Sequence, residues 1–139
     1  MSIRLFFIVL IGLLMGTMTA SANSTEEKKE KAEEISEFVE IPPISVAMYN
    51  RRKRPAGTMT VLLQLKIDDS EQREEAIKIL PRLKNAYMQE TLKLALNFFD
   101  IDRPVNANLL SRSLQNATNI VLKHDKARVL ISDVAVMKR

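Results

Sequence analysis

In TMTVLLQLKI, residues 58–67, Met59, Val61, Leu63, Leu65 and Ile67 alternate with Thr58, Thr60, Leu62, Gln64 and Lys66. Successive side chains of a strand point to opposite faces, so five apolar residues at period two describe a strand buried on one side only. Such a strand needs a paired neighbour and a layer to cover its apolar face. The neighbour is expected just upstream. After a Pro42-Pro43 pair, which favours extended backbone, Ile44, Val46 and Met48 alternate with Ser45, Ala47 and Tyr49. NRRKRPAG, residues 50–57, supplies the Asn, Pro and Gly of a turn. The two runs therefore predict an antiparallel hairpin, with Arg51, Arg52, Lys53 and Arg54 at or beside its tip.

The covering layer follows in DDSEQREEAIKILPRLKNAYMQETLKLALNFFD, residues 68–100. Asp68, Asp69 and Ser70 offer capping oxygens, and Glu71, Glu74 and Glu75 suit the positive end of a helix. Ala76, Leu80, Leu83, Tyr87, Leu94 and Phe98 recur at helical spacing with Thr91 in the same stripe, which predicts a long amphipathic helix. Pro81 lies inside it and is expected to kink it or to start a second segment, since it lacks an N–H and crowds the carbonyl four residues back. A second helix is expected in VNANLLSRSLQNATNIVLKHD, with Leu110, Leu114, Ala117 and Val121 on one side. The closing KARVLISDVAVMKR reads as a strand. Its apolar residues fall on both faces by strict alternation, which predicts a central position in the sheet. The expected class is α+β, in the order β-β-α-α-β over residues 39–139, with two helices on one face of a small antiparallel sheet.

The first 22 residues have a different character. Arg4 is followed by 18 uncharged residues, Leu5 to Ala22, whose apolar heart ends in small residues and Ala20-Ser21-Ala22. This has the pattern of a signal peptide with cleavage between Ala22 and Asn23. As an uncut helix it would reach roughly 27 Å, enough to anchor the chain in a bilayer. Either fate places the remainder on the far side of a membrane, anchored or free. Residues 23–38 include the run Glu26–Glu34, charged throughout except Ala32, which has no apolar face to bury and reads as a solvated linker.

The chain is poor in catalytic parts. It has no Cys, which removes disulfides, thiolate metal sites and a Cys nucleophile together. His124 is the only histidine and stands at a helix-to-strand junction, where capping or a solvated loop is the ordinary role. Asp68/Asp69 and Asp100/Asp102 are the nearest approach to paired carboxylates, and both sit where local capping and turn bonds are expected. No nucleophile elbow, phosphate-binding glycine loop or zinc pair is present. The expectation is a protein without catalytic residues, metal or cofactor. The stripe of Leu, Tyr and Phe on the first helix is expected as core rather than as a ligand pocket.

FVEIPPISVAM, GTMTVLLQLKID, REEAIKILPRLKNAYMQETL and RVLISDVAVMK together resemble the periplasmic domain of the flagellar basal-body-associated FliL family, in its alphaproteobacterial form. The resemblance spans Val39 to Arg139. It implies a stomatin-like fold that self-associates around the stator units of the flagellar motor, supporting stator function and motility, with no catalytic residues. Family members keep a membrane helix behind a cytoplasmic tail, whereas here only Met1 to Arg4 precede the apolar run. Cleavage would give a soluble periplasmic scaffold or ligand-binding relative without a flagellar role.

Four adjacent cations can signal a nucleic-acid patch, a localisation signal, a membrane-surface contact or a wet hairpin tip. The net charge of +4, from 21 basic and 17 acidic residues, is far below that of a nucleic-acid coat, and export makes a cytosolic or nuclear role idle, so no nucleic acid is expected as a partner. Two readings of Arg51, Arg52, Lys53 and Arg54 stand: a solvated turn whose charges discourage sheet-edge pairing, or a contact with anionic lipid or an acidic partner subunit.

Overall fold

A computed structural model of the chain describes residues 37–139. The export segment, the Ala22–Asn23 junction and most of the linker lie outside the described residues. The domain is α+β: strands β1 (Phe38–Tyr49) and β2 (Pro55–Lys66), helices α1 (Ser70–Lys78), α2 (Leu80–Asn97) and α3 (Ala107–Leu122), then strand β3 (Arg128–Lys138). The strands form one antiparallel sheet in the order β1-β2-β3. Met59, Val61, Leu63, Leu65 and Ile67 are all buried, as their alternation requires. They face Leu83, Tyr87 and Leu94 of α2 and Leu110 and Leu114 of α3 across the core. Burying one such side chain contributes about 1.5–3 kcal/mol, so the five together are a substantial hydrophobic support of the fold.

The last strand corrects its sequence reading. β2, not β3, is central, and β3 is an edge. The cause is a β-bulge. Leu63 pairs with Ile131 but Leu62 pairs with Asp133, so Ser132 is an extra residue that reverses the alternation. Val129, Ile131, Val134 and Val136 consequently share one face, opposite Leu65, Leu63, Val61 and Met59. What looked like two apolar faces is one face with a parity change. β1 does the same at the same level: Ile41 pairs with Leu63 and Ile44 with Val61, leaving Pro42 and Pro43 opposite Leu62. A strand edge without two of its N–H groups is also a poor template for further pairing.

Three helices stand where two were expected. The amphipathic run breaks at Ile79, and Pro81 occupies the first turn of α2, where a missing N–H costs nothing. Ala76, Leu83, Tyr87, Thr91 and Leu94 are buried as the stripe predicts. Phe98 is not: it is 66% exposed. The amides of Phe98 and Phe99 both donate to the Leu94 carbonyl, at 2.9 and 3.0 Å, so the last turn widens and Phe99 packs against the core instead. Gly57 also belongs to β2 rather than to the turn. A Cβ there would lie 2.1 Å from the Met137 carbonyl oxygen and 2.5 Å from Ile101 Cδ1, so only glycine lets β3 and the α2–α3 loop close on the strand.

Inside the core, the Tyr87 hydroxyl lies 2.7 Å from Thr118 Oγ1, which donates to the Leu114 carbonyl at 2.8 Å. With the threonine proton committed, the phenol donates to Thr118, and the chain of bonds ties α2 to α3. Burial pushes the Tyr87 phenol up to about 12, against a smaller downward pull from the Thr118 bond.

Candidate functional site

The hairpin tip is built by Asn50. Its Oδ1 accepts from the amides of Arg52 and Arg54, at 2.9 and 3.1 Å, while its carbonyl accepts from the Lys53 amide at 2.9 Å. The Asn50 amide closes the loop on the Arg54 carbonyl at 3.0 Å. This is a three-residue loop ending in a left-handed residue, Lys53, with φ of 58°. Glycine would adopt that conformation freely, whereas a lysine gives up about 1–2 kcal/mol.

The reason for a lysine lies across the gap. Lys53 Nζ donates to the carbonyl of Leu96 in the last turn of α2, the negative end of the helix dipole. Arg51 Nε donates to Asp100 Oδ2 at 3.2 Å, and the Asp100 carboxylate also accepts from the Asp102 amide at 3.0 Å. That backbone bond first, with the Arg51 bond and the Arg51 and Arg103 charges added, holds the Asp100 carboxyl below the usual carboxylate range, although burial pushes it upward by more than the Arg51 bond lowers it. The Ile101 amide reaches the Tyr49 carbonyl at 3.3 Å. All four residues of the basic run are exposed; Arg51 and Lys53 also bond to the end of α2, and Arg52 and Arg54 have no side-chain partner among the described residues.

More charge gathers at the same end. Lys138 pairs with Gly57 in the sheet and reaches Asp102 at 2.9 Å, the Arg139 amide donates to the Ala56 carbonyl, and Arg103 follows on the α2–α3 loop. Among the described residues at this end, Arg51, Arg52, Lys53, Arg54, Arg103, Lys138 and Arg139 stand against Asp100 and Asp102. The whole chain has 21 basic and 17 acidic residues, so its basic excess is concentrated here. Phe98 lies within this end, between Leu96 and Asp100, the two residues that hold Lys53 and Arg51. Phe98 was missed as a surface residue in the sequence because its spacing places it in the helix stripe.

The remaining candidates have local roles. Asp69 Oδ1 caps α1 by accepting from the Gln72 amide at 2.9 Å. His124 Nδ1 accepts from the Lys126 amide at 3.2 Å, while its buried Nε2 has no partner among the described residues. Neither touches a second catalytic group. Among the described residues no three His, Asp or Glu side chains come together as metal ligands, and no helix is long and apolar enough to cross a membrane. The stripe residues Leu83, Tyr87 and Leu94 belong to the buried core between sheet and helices. A depression of about 420 Å³ lies instead at the far end of the sheet, where Lys66, Lys126 and Arg128 alternate with Asp68 and Asp125.

No family model matches this sequence, and no curated protein matches it either.

Proposed function

We propose that this chain is a non-catalytic accessory protein of the flagellar basal body, of the FliL type. Its domain, stomatin-like in plan, supports the stator units and motility through protein contacts, including contacts between its own copies. The N-terminal segment delivers the domain to the periplasm and then anchors it in the inner membrane or is cut after Ala22. The observation that carries the reading is the basic end. It is a charged surface bonded to the end of α2 through Arg51 and Lys53, on a domain whose Asp69, Asp100 and His124 make local bonds. Such a surface binds and positions partners rather than transforming a substrate. The residues of the resemblance support it too, since the Pro81 break and the closing strand are elements of the fold.

The ligand-binding alternative expects its site between helices and sheet, whereas the depression described above lies at the far end of the sheet. Its mixed charges and polar lining lack the apolar walls that hold most small ligands, and the basic end is favoured over it.

Deleting the gene in the native host and scoring swimming tests the proposal. Reduced swimming with filaments still assembled, restored by the gene in trans, is the expected result; normal swimming overturns it. Intact mass of the mature protein, taken from membrane and periplasmic fractions separately, reads the fate of Ala22.

A further inference from the structure

We propose that the basic end docks on anionic lipid headgroups, with the Phe98 ring entering the interfacial layer among them. The proposal rests on reading this end as the contact surface and names the chemistry of what it contacts.

Arg52, Arg54 and Arg103 are exposed, and their side chains bond to nothing among the described residues, so their guanidinium groups are free for a ligand. A guanidinium matches a phosphate with two parallel N–H bonds, which a lone ammonium cannot do. The three project from two segments, the hairpin tip and the α2–α3 loop, which the Arg51–Asp100 and Lys53–Leu96 bonds tie together. The segments that carry the cations are thus bonded to each other, so on binding the ordering left to be done lies in the side chains themselves.

Phe98 decides between kinds of anionic surface. It is a large apolar side chain, 66% exposed, bracketed by the residues that hold Arg51 and Lys53. Met137, 71% exposed, lies at the same end of the sheet, next to the Gly57–Lys138 pair. Apolar side chains among cations suit the boundary between headgroups and acyl chains, where the charges meet phosphate and the ring leaves water. An acidic protein surface would answer the charges and leave Phe98 without a pocket. A fluid lipid layer accommodates the ring without one.

The chain has no Trp, so Phe98→Trp places a single reporter at the contact. The full-length variant is reconstituted into phosphatidylcholine vesicles and into vesicles with one-third phosphatidylglycerol. Expected are a blue shift of the emission and quenching by bromolipid in the phosphatidylglycerol vesicles alone. Both should be lost when Arg52, Arg54 and Arg103 are changed to Ser, with the circular dichroism unchanged. Met137→Trp gives the same readout should Phe98→Trp fail to fold. Identical emission in the two vesicle types overturns the proposal. Emission unmoved by phosphatidylglycerol but shifted by polyglutamate also overturns it, and assigns the end to an acidic protein surface. The vesicles contain no flagellar component, so failure here is distinct from failure of the motility test.

Discussion

Where β1 begins, the domain balances its charges; where β1 ends, it accumulates them. At the first end Lys66 lies between Glu37 and Asp68, at 3.4 and 3.7 Å, and Arg73 donates to the carbonyls of Ile67 and Asp68. Gln115 joins α3 to β3 there: its Nε2 donates to the Ala127 carbonyl at 2.7 Å and its Oε1 accepts from the Val129 amide at 2.9 Å. At the second end two of seven cations have a carboxylate, one has a helix carbonyl, and the others face solvent. A cation neutralised in place holds the fold, whereas an excess of like charge on a braced frame opposes compactness by self-repulsion and is suited to an outside anion. The difference is what the proposed function rests on: it assigns the first end to the fold and the second to contact.

The comparison can be strained at several points. The largest effect is expected at Gly57, where Gly57→Val should cost about 3 kcal/mol or more by forcing β3 and Ile101 off the strand. A urea midpoint close to that of the unmodified protein would mean the basic end is not held by close packing. Gln115→Ala tests the opposite end. It strips partners from the Ala127 carbonyl and the Val129 amide and should cost about 2 kcal/mol in the same assay. Lys53 separates backbone strain from the clamp. Lys53→Ala keeps the left-handed conformation and loses the Leu96 bond, costing about 1 kcal/mol, while Lys53→Gly relieves the backbone and should be nearly neutral. Equal losses in the two would show that the left-handed backbone carries no strain, and no loss in Lys53→Ala would show that the clamp carries nothing.

The smallest effect is a pH dependence. Because the Asp100 carboxyl is held below its ordinary value, the folded state resists its protonation. Its contribution is therefore present above about pH 4, the unfolded carboxylate range, and lost as pH falls through the depressed folded value. Asp100→Asn should flatten the stability profile in that acid window and leave it unchanged near neutrality apart from the lost pair with Arg51. An acid profile identical to the unmodified protein would break the assignment.

The hairpin, the core row of β2 and the apolar stripe of α2 were legible because each follows a strict period over several residues. Periodicity failed where one residue changed phase. Ser132 reversed the parity of β3 and made an edge strand look central, and the Pro42-Pro43 bulge does the same in β1 without hiding it, since the prolines mark the spot. Phe98 failed for a related reason: the widened last turn of α2 lets Phe99 take the place that spacing assigns to Phe98. The position of the four cations was legible from the turn residues around them. Their division into two clamping and two free side chains was not, because Leu96 and Asp100 come from a distant part of the sequence.

Under the proposed function, this protein acts through its basic end. That is tested by complementing a deletion strain with Arg52, Arg54 and Arg103 changed to Ser, beside a control with Lys66, Lys126 and Arg128 changed to Ser at the opposite end, both at matched cellular abundance. The account predicts that the first variant fails to restore swimming and the control restores it. Restoration by the first variant, or failure of the control alone, would contradict it.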